Sequence, residues 1–162
     1  MAELTHLEEK LGEVIGLAQA AKTATEKIIK LEEAESTKDV LERMNAEATE
    51  TEERGTALVD TLEGKKTAIL EKARETKSKA SDMLQTYIDE ESDALDGFEF
   101  LTMAEAGEVG HWKVLKTMAE KAGDPKVIEL TDWALPIQER HFSEAQENSI
   151  KLAGEQDPNE TS

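Results

Sequence analysis

The chain has 162 residues, a formal net charge of −18, 4% aromatic residues and no cysteine. That length suits one well-buried core rather than two ordinary domains, and so few aromatics argue against a sandwich or barrel. The charge disfavours nucleic acid and anionic membranes as partners, and the missing cysteine excludes disulfides, thiolate metal sites and cysteine nucleophiles.

What remains is rich in Ala, Glu, Lys, Leu and Thr. Ala and the straight-chain residues lose little on entering a helix, so an all-α fold is expected. The polar start MAELTHLEEK lacks a signal peptide's apolar stretch, and no run of about 18 apolar residues occurs. A soluble, cytoplasmic protein is expected.

The first helix is predicted from about Glu3 to Glu33. Leu4, Leu7, Leu11, Val14, Ala18, Ala21, Thr25 and Ile28 recur three and four apart, as a bundle-facing stripe does. Gly12 and Gly16 interrupt it, each at a cost of about 1 kcal/mol relative to Ala, which points to a closely packed neighbour. Ser36-Thr37 read as a turn and a new N-cap. A second helix begins near Lys38 with Leu41, Met44, Ala48, Thr51, Gly55, Leu58 and Leu62 inward, and Gly64 breaks or bends it. Segment 65–88 reads as a further helix, long enough to cross between two antiparallel hairpins.

After the polar patch DEESDALDG comes a third bundle helix, predicted from Phe98 to Lys121. The turn Ala122-Gly123-Asp124-Pro125 places Gly at a C′ position and Pro at a helix start. The fourth bundle helix is predicted from Pro125 to Ala153, with Pro136 kinking it and freeing the carbonyl of Asp132. Residues 1–153 thus form one bundle with a crossover over about 64–96, and 154–162 are expected as a disordered tail.

Projected at about 100° per residue, the third bundle helix turns Leu101, Ala104, Glu108, His111, Trp112, Leu115 and Ala119 to one face. The fourth does so with Val127, Leu130, Ala134, Gln138, His141, Ala145 and Leu152. Glu108/His111 and Gln138/His141 share i, i+3 spacing, which aims two side chains at one locus. Counting outward from Gly123 brings the two pairs to nearly the same level. Burying such groups costs several kcal/mol unless they pair or hold a cation, and imidazole with carboxylate suits iron, manganese or zinc. His6 projects away from the core. The competing reading is a hydrogen-bonded polar cluster that holds no metal.

These residues resemble the ferritin-like superfamily, in its rubrerythrin-like and stress-associated bacterial branches. The stretch FEFLTMAEAGEVGHWKVLKTMAEKAGDPKVIELTDWALPIQERHF looks like that family's second hairpin. The resemblance implies a ferritin-like four-helix bundle, two antiparallel hairpins joined by a long crossover, around a di-iron or di-manganese carboxylate centre. It implies Glu108, His111 and His141 as ligands, with Glu105, Gln138 and Glu52 secondary or conditional. It also implies oxidation of Fe(II) by O₂ or peroxide, in detoxification or storage. Two departures limit the match. Gln138 stands where the family has Glu, and the first hairpin aligns Val14 and Leu17 with Glu108 and His111. In the second helix Glu52 and Glu47 are the nearest carboxylates, so the centre is expected to be lopsided or incomplete. Metal ions are the expected partners, and a homodimer through Trp112 or the Gly12/Gly16 surface is expected. A metal-free helical scaffold is the alternative, and a lipid-coating amphipathic protein a third reading that the charge opposes.

Overall fold

A computed structural model describes residues 2–31 and 35–161 of the chain. Among them are five helices and no strand: α1 (His6–Ile29), α2 (Glu35–Val59), α3 (Lys66–Tyr87), α4 (Ala94–Ala122) and α5 (Pro125–Glu155). No helix among the described residues is long and apolar enough to cross a membrane.

Local chemistry sets the helix ends. The side chain of Thr5 accepts from Glu8 N while Glu8 reaches back to the Thr5 N–H, so α1 starts at His6 rather than Glu3. The helix ends at Ile29, with Lys30 as its C-cap, rather than running on to Glu33, which itself lies outside the described residues. Helix α2 begins at Glu35, so Ser36 and Thr37 are inside it and not in a turn. Asp93 and Asp96 make the same reciprocal cap for α4, which therefore begins inside the polar patch, four residues before Phe98. Gly123 ends α4 in the left-handed conformation (φ 66°), Asp124 caps α5, and Pro125 starts it, as expected. Helix α5 runs unbroken through Pro136 and continues two residues past Ala153.

The expected inward stripes are largely buried, and their spacing gives the packing. On α4 the central buried seam is Phe98, Leu101, Glu105, Glu108, Trp112, Leu115 and Ala119, alternating three and four apart, with Gly97 and Phe100 also buried near its start. On α5, Val127, Thr131, Ala134, Gln138, His141 and Ala145 alternate likewise. A 3.5-residue period keeps one seam facing its partner along the whole helix.

Cross-contacts give the directions. Asn45 Nδ2 donates to Lys22 O on α1, and Gly55 meets Ile15, so α1 and α2 are antiparallel. Gly97 packs on Ile28 while His111 lies near Lys10, so α1 and α4 are antiparallel too. Arg43 pairs with Glu144 and Glu47 with Arg140, which makes α2 and α5 antiparallel. The predicted crossover is a full helix, α3, running parallel to α1 and packed mainly on it.

The glycine prediction is met on α1. A Cβ at Gly12 would lie 2.8 Å from Ile69 O, and one at Gly16 would collide with Ala73 O, so both notches admit the α3 backbone. Trp112 is 1% exposed. Both surfaces expected to pair two copies of the chain are therefore occupied inside one copy. Gly107 and Gly110 differ: a Cβ at either meets nothing within 4 Å, so no neighbour among the described residues requires them.

Two apolar clusters fill the core. One gathers Leu11, Val14, Ile69, Trp112, Leu115 and Leu130, and the other Ile28, Leu41, Leu84, Phe98 and Leu101. Along α4 the residues separating them are Glu105 and Glu108, and along α5 Gln138 and His141. Gly16→Val should destabilise the protein by about 2–3 kcal/mol in urea unfolding, since α3 must move away. Gly110→Ala, in open space on a helix, should stabilise it by up to about 1 kcal/mol. Equal effects from the two substitutions would refute the notch.

Candidate functional site

The polar layer is built from three helices. Glu105 and Glu108 come from α4, Gln138 and His141 from α5, and all four are at least 96% buried. Helix α2 adds Glu47, whose side chain is 20% exposed at the α2–α5 edge. The orientation of the Gln138 amide follows from its surroundings: with its NH₂ toward the carboxyl groups it donates to Glu108 Oε2 and Glu105 Oε2, each at 3.0 Å. His141 Nε2 lies 3.1 Å from Glu47 Oε1, and its Nδ1 is 3.8 Å from Glu105 Oε2.

Charge is distributed unevenly across this layer. Burial pushes the Glu105 carboxyl up to about 8. Burial, then the neighbouring Glu105, pushes Glu108 well above the ordinary carboxylate range. No Lys or Arg among the described residues is paired with either. Glu47 is the opposite case. Partial burial raises it, but hydrogen bonds from Arg140 and His141, with their charge, bring it below its usual value. Burial lowers the pKa of His141 despite the opposing pull of Glu47. A neutral imidazole donating from Nε2 to Glu47 then leaves the Nδ1 lone pair on the side of Glu105. Outside it, Arg43, Glu47, Arg140 and Glu144 form a closed set of ion pairs on the surface.

Four of the six residues expected at the site are brought together: Glu105, Glu108, Gln138 and His141. His111 is not with them. Its side chain is 42% exposed, with Nδ1 3.4 Å from Glu13 Oε2 on α1 and 3.4 Å from Lys10 Nζ. The cause is the 3.5-residue seam, which takes Glu105, Glu108 and Trp112 inward and leaves 104 and 111 on its flank. Glu52 is also elsewhere, in a polar groove with Gln19, Lys22 and Lys77. Among the described residues, no three His, Asp or Glu side chains stand in a metal-holding arrangement.

Glu47 entered the sequence reading only as a near candidate, and Arg43 and Arg140 not at all. Arg140 adjoins His141 in IQERH, but its link to Glu47 needs the α2–α5 register, which no motif states. Trp112 Nε1, one turn beyond Glu108 on the same seam, is buried with no hydrogen-bond partner among the described residues. Trp133 is partly buried under Arg54, whose guanidinium carbon is 4.1 Å from the ring centre.

No protein-family model matches the chain, and no curated protein matches it.

The raised carboxyl pKa values give a pH dependence with a definite sign. A carboxyl that holds its proton more tightly when folded contributes fully below its unfolded value near 4.5, and that contribution is lost as pH rises through about 8. His141 has the opposite sign, with its contribution lost as pH falls below about 6.5. Between pH 7 and 9 the carboxyl groups therefore dominate. The metal-free protein should lose stability over that range, at no more than about 1.4 kcal/mol per pH unit for each group. Glu105→Gln should flatten the slope. Parallel slopes in urea titrations of the two proteins would exclude the buried acid.

Proposed function

We propose that this chain is a ferritin-like helical bundle that binds a divalent metal ion, iron first, with Glu105, Glu108 and His141 as its ligands. The observation that carries the reading is the pair of core carboxyl groups, one turn apart on α4, without a Lys or Arg partner among the described residues. Several kcal/mol are lost for each charge buried in this way unless a proton or a cation compensates. Beside the pair stands an imidazole whose Nε2–H is engaged by a carboxylate, the usual way in which a metal-binding histidine is oriented. The up-down-down-up course of α1, α2, α4 and α5, with α3 crossing between the halves, supports the ferritin-like architecture.

The donor chemistry fits iron, manganese or zinc. Gln138 would turn its amide oxygen toward the ion, releasing the two carboxyl groups that its NH₂ now joins. Glu47 would hold His141 in the tautomer that presents Nδ1. The apolar clusters above and below would keep water from the layer. An iron ion there would supply oxidation by O₂ or peroxide, the chemistry that the ferritin-like resemblance implies. His111 and Glu52 are outside this ligand set.

A second reading has its own observation. The hydrogen bonds from Gln138 to Glu105 and Glu108 satisfy the layer without any ion, as a metal-free scaffold would require.

Elemental analysis separates the two. Protein purified without added metal, or reconstituted with Fe(II), should hold metal, and Glu108→Ala and His141→Ala should each lower its affinity at least about tenfold. His111→Ala should retain it. Chelation should lower the melting temperature of the wild type by linkage. A wild-type protein that takes up neither iron, manganese nor zinc would establish the scaffold reading.

A further inference from the structure

A cavity of about 200 Å³ opens beside the polar layer, between α1, α3 and α4. Its walls are apolar and come from three helices, Leu17 and Ala20 on α1, Ala80 and Met83 on α3, and Met103 and Gly107 on α4. Short side chains leave the space: alanines line it from α1, α3 and α4. Met83 and Met103 are 48% and 40% exposed. The polar side chains in the lining are Glu105, Glu108 and His111, the last 42% exposed.

Glu108 gives the cavity its chemistry. It is 4% exposed, and Gln138 supplies one hydrogen bond to one of its oxygens. Gln138 occupies one acceptor position, and the carboxyl group has further acceptor capacity whether or not it carries a proton. A mainly apolar pocket with a few convergent polar groups is the usual form of a small-molecule site. Size narrows the choice further, because an apolar cavity of about 150 Å³ takes up benzene.

We propose that this cavity binds a one-ring aromatic or similarly small hydrocarbon molecule bearing one hydrogen-bond donor, with the donor on Glu108 and the apolar body against α1, α3 and α4. The net charge and the paired acids exclude an anionic head group. Phenols and aromatic amines have the required chemistry. The site does not depend on metal binding, since the cavity and Glu108 are formed without an ion.

The test uses the full-length, metal-free chain, with 4-methylphenol, toluene and benzoate as probes in isothermal titration. 4-Methylphenol should bind at one saturable site, at least about tenfold more tightly than toluene. Benzoate should show no saturable binding. Glu108→Leu should bring 4-methylphenol to the level of toluene. Ala80→Phe, which fills the cavity from α3, should abolish binding of both. If that variant fails to fold, Gly107→Leu is a second filling substitution at a position where a new Cβ meets nothing. Absence of saturable 4-methylphenol binding, binding undiminished in a folded filling variant, or equal binding of benzoate would overturn the proposal. Metal content is measured separately, so failure here leaves the metal reading standing, and the reverse.

Discussion

The fold depends on a polar layer kept in register at the centre of an otherwise apolar seam. Glu105 and Glu108 on α4 must meet Gln138 on α5, because Gln138 donates to both. A slip of one turn between the helices would leave two carboxyl groups facing aliphatic side chains. Loss of a buried polar partner costs about 1–3 kcal/mol for each group, so the layer fixes the alignment more sharply than interchangeable Leu contacts could. The tight Gly123-Asp124 turn acts in the same direction, since so short a connection leaves little freedom in how far α5 slides along α4.

From that alignment the other helices take their places. Helix α2 reaches the layer through Glu47, and α1 lies across from α4 with small residues, Ala18 and Ala21, in its buried stripe. The two hairpins are chemically unequal: one supplies the ionisable groups, the other mostly apolar surface. Helix α3 is a separate matter. It lies outside this layer, seated on α1 by the Gly12 and Gly16 notches, and with α1 and α4 it lines the cavity beside Glu108.

Much of this was legible in the sequence, and the failures have physical causes. The stripes on all four bundle helices, the α4–α5 turn and the notches on α1 follow from periodicity and from glycine chemistry. Gln138 and His141 were read correctly as inward. His111 was not, because a 100° projection drifts by about 20° per heptad from the 3.5-residue seam of packed helices. Over the length of α4 that drift exchanged Glu105 for His111. Glu47 and its arginine partners depend on how α2 lies against α5, which no local pattern encodes. The glycines at 107 and 110 flank Glu108 in the sequence, and no neighbour among the described residues approaches them.

The ion-pair set of Arg43, Glu47, Arg140 and Glu144 has a reach beyond the surface that it occupies. Glu47 belongs to it and also holds the Nε2 of His141, a residue 1% exposed. Exposed ion pairs weaken as dissolved salt screens them, whereas buried groups scarcely feel the solvent. Glu47 joins the two regimes. Ionic strength in the surrounding solution is thereby transmitted to an imidazole in the core, and the electrostatic state of the protein's centre becomes sensitive to the medium without any helix having to open.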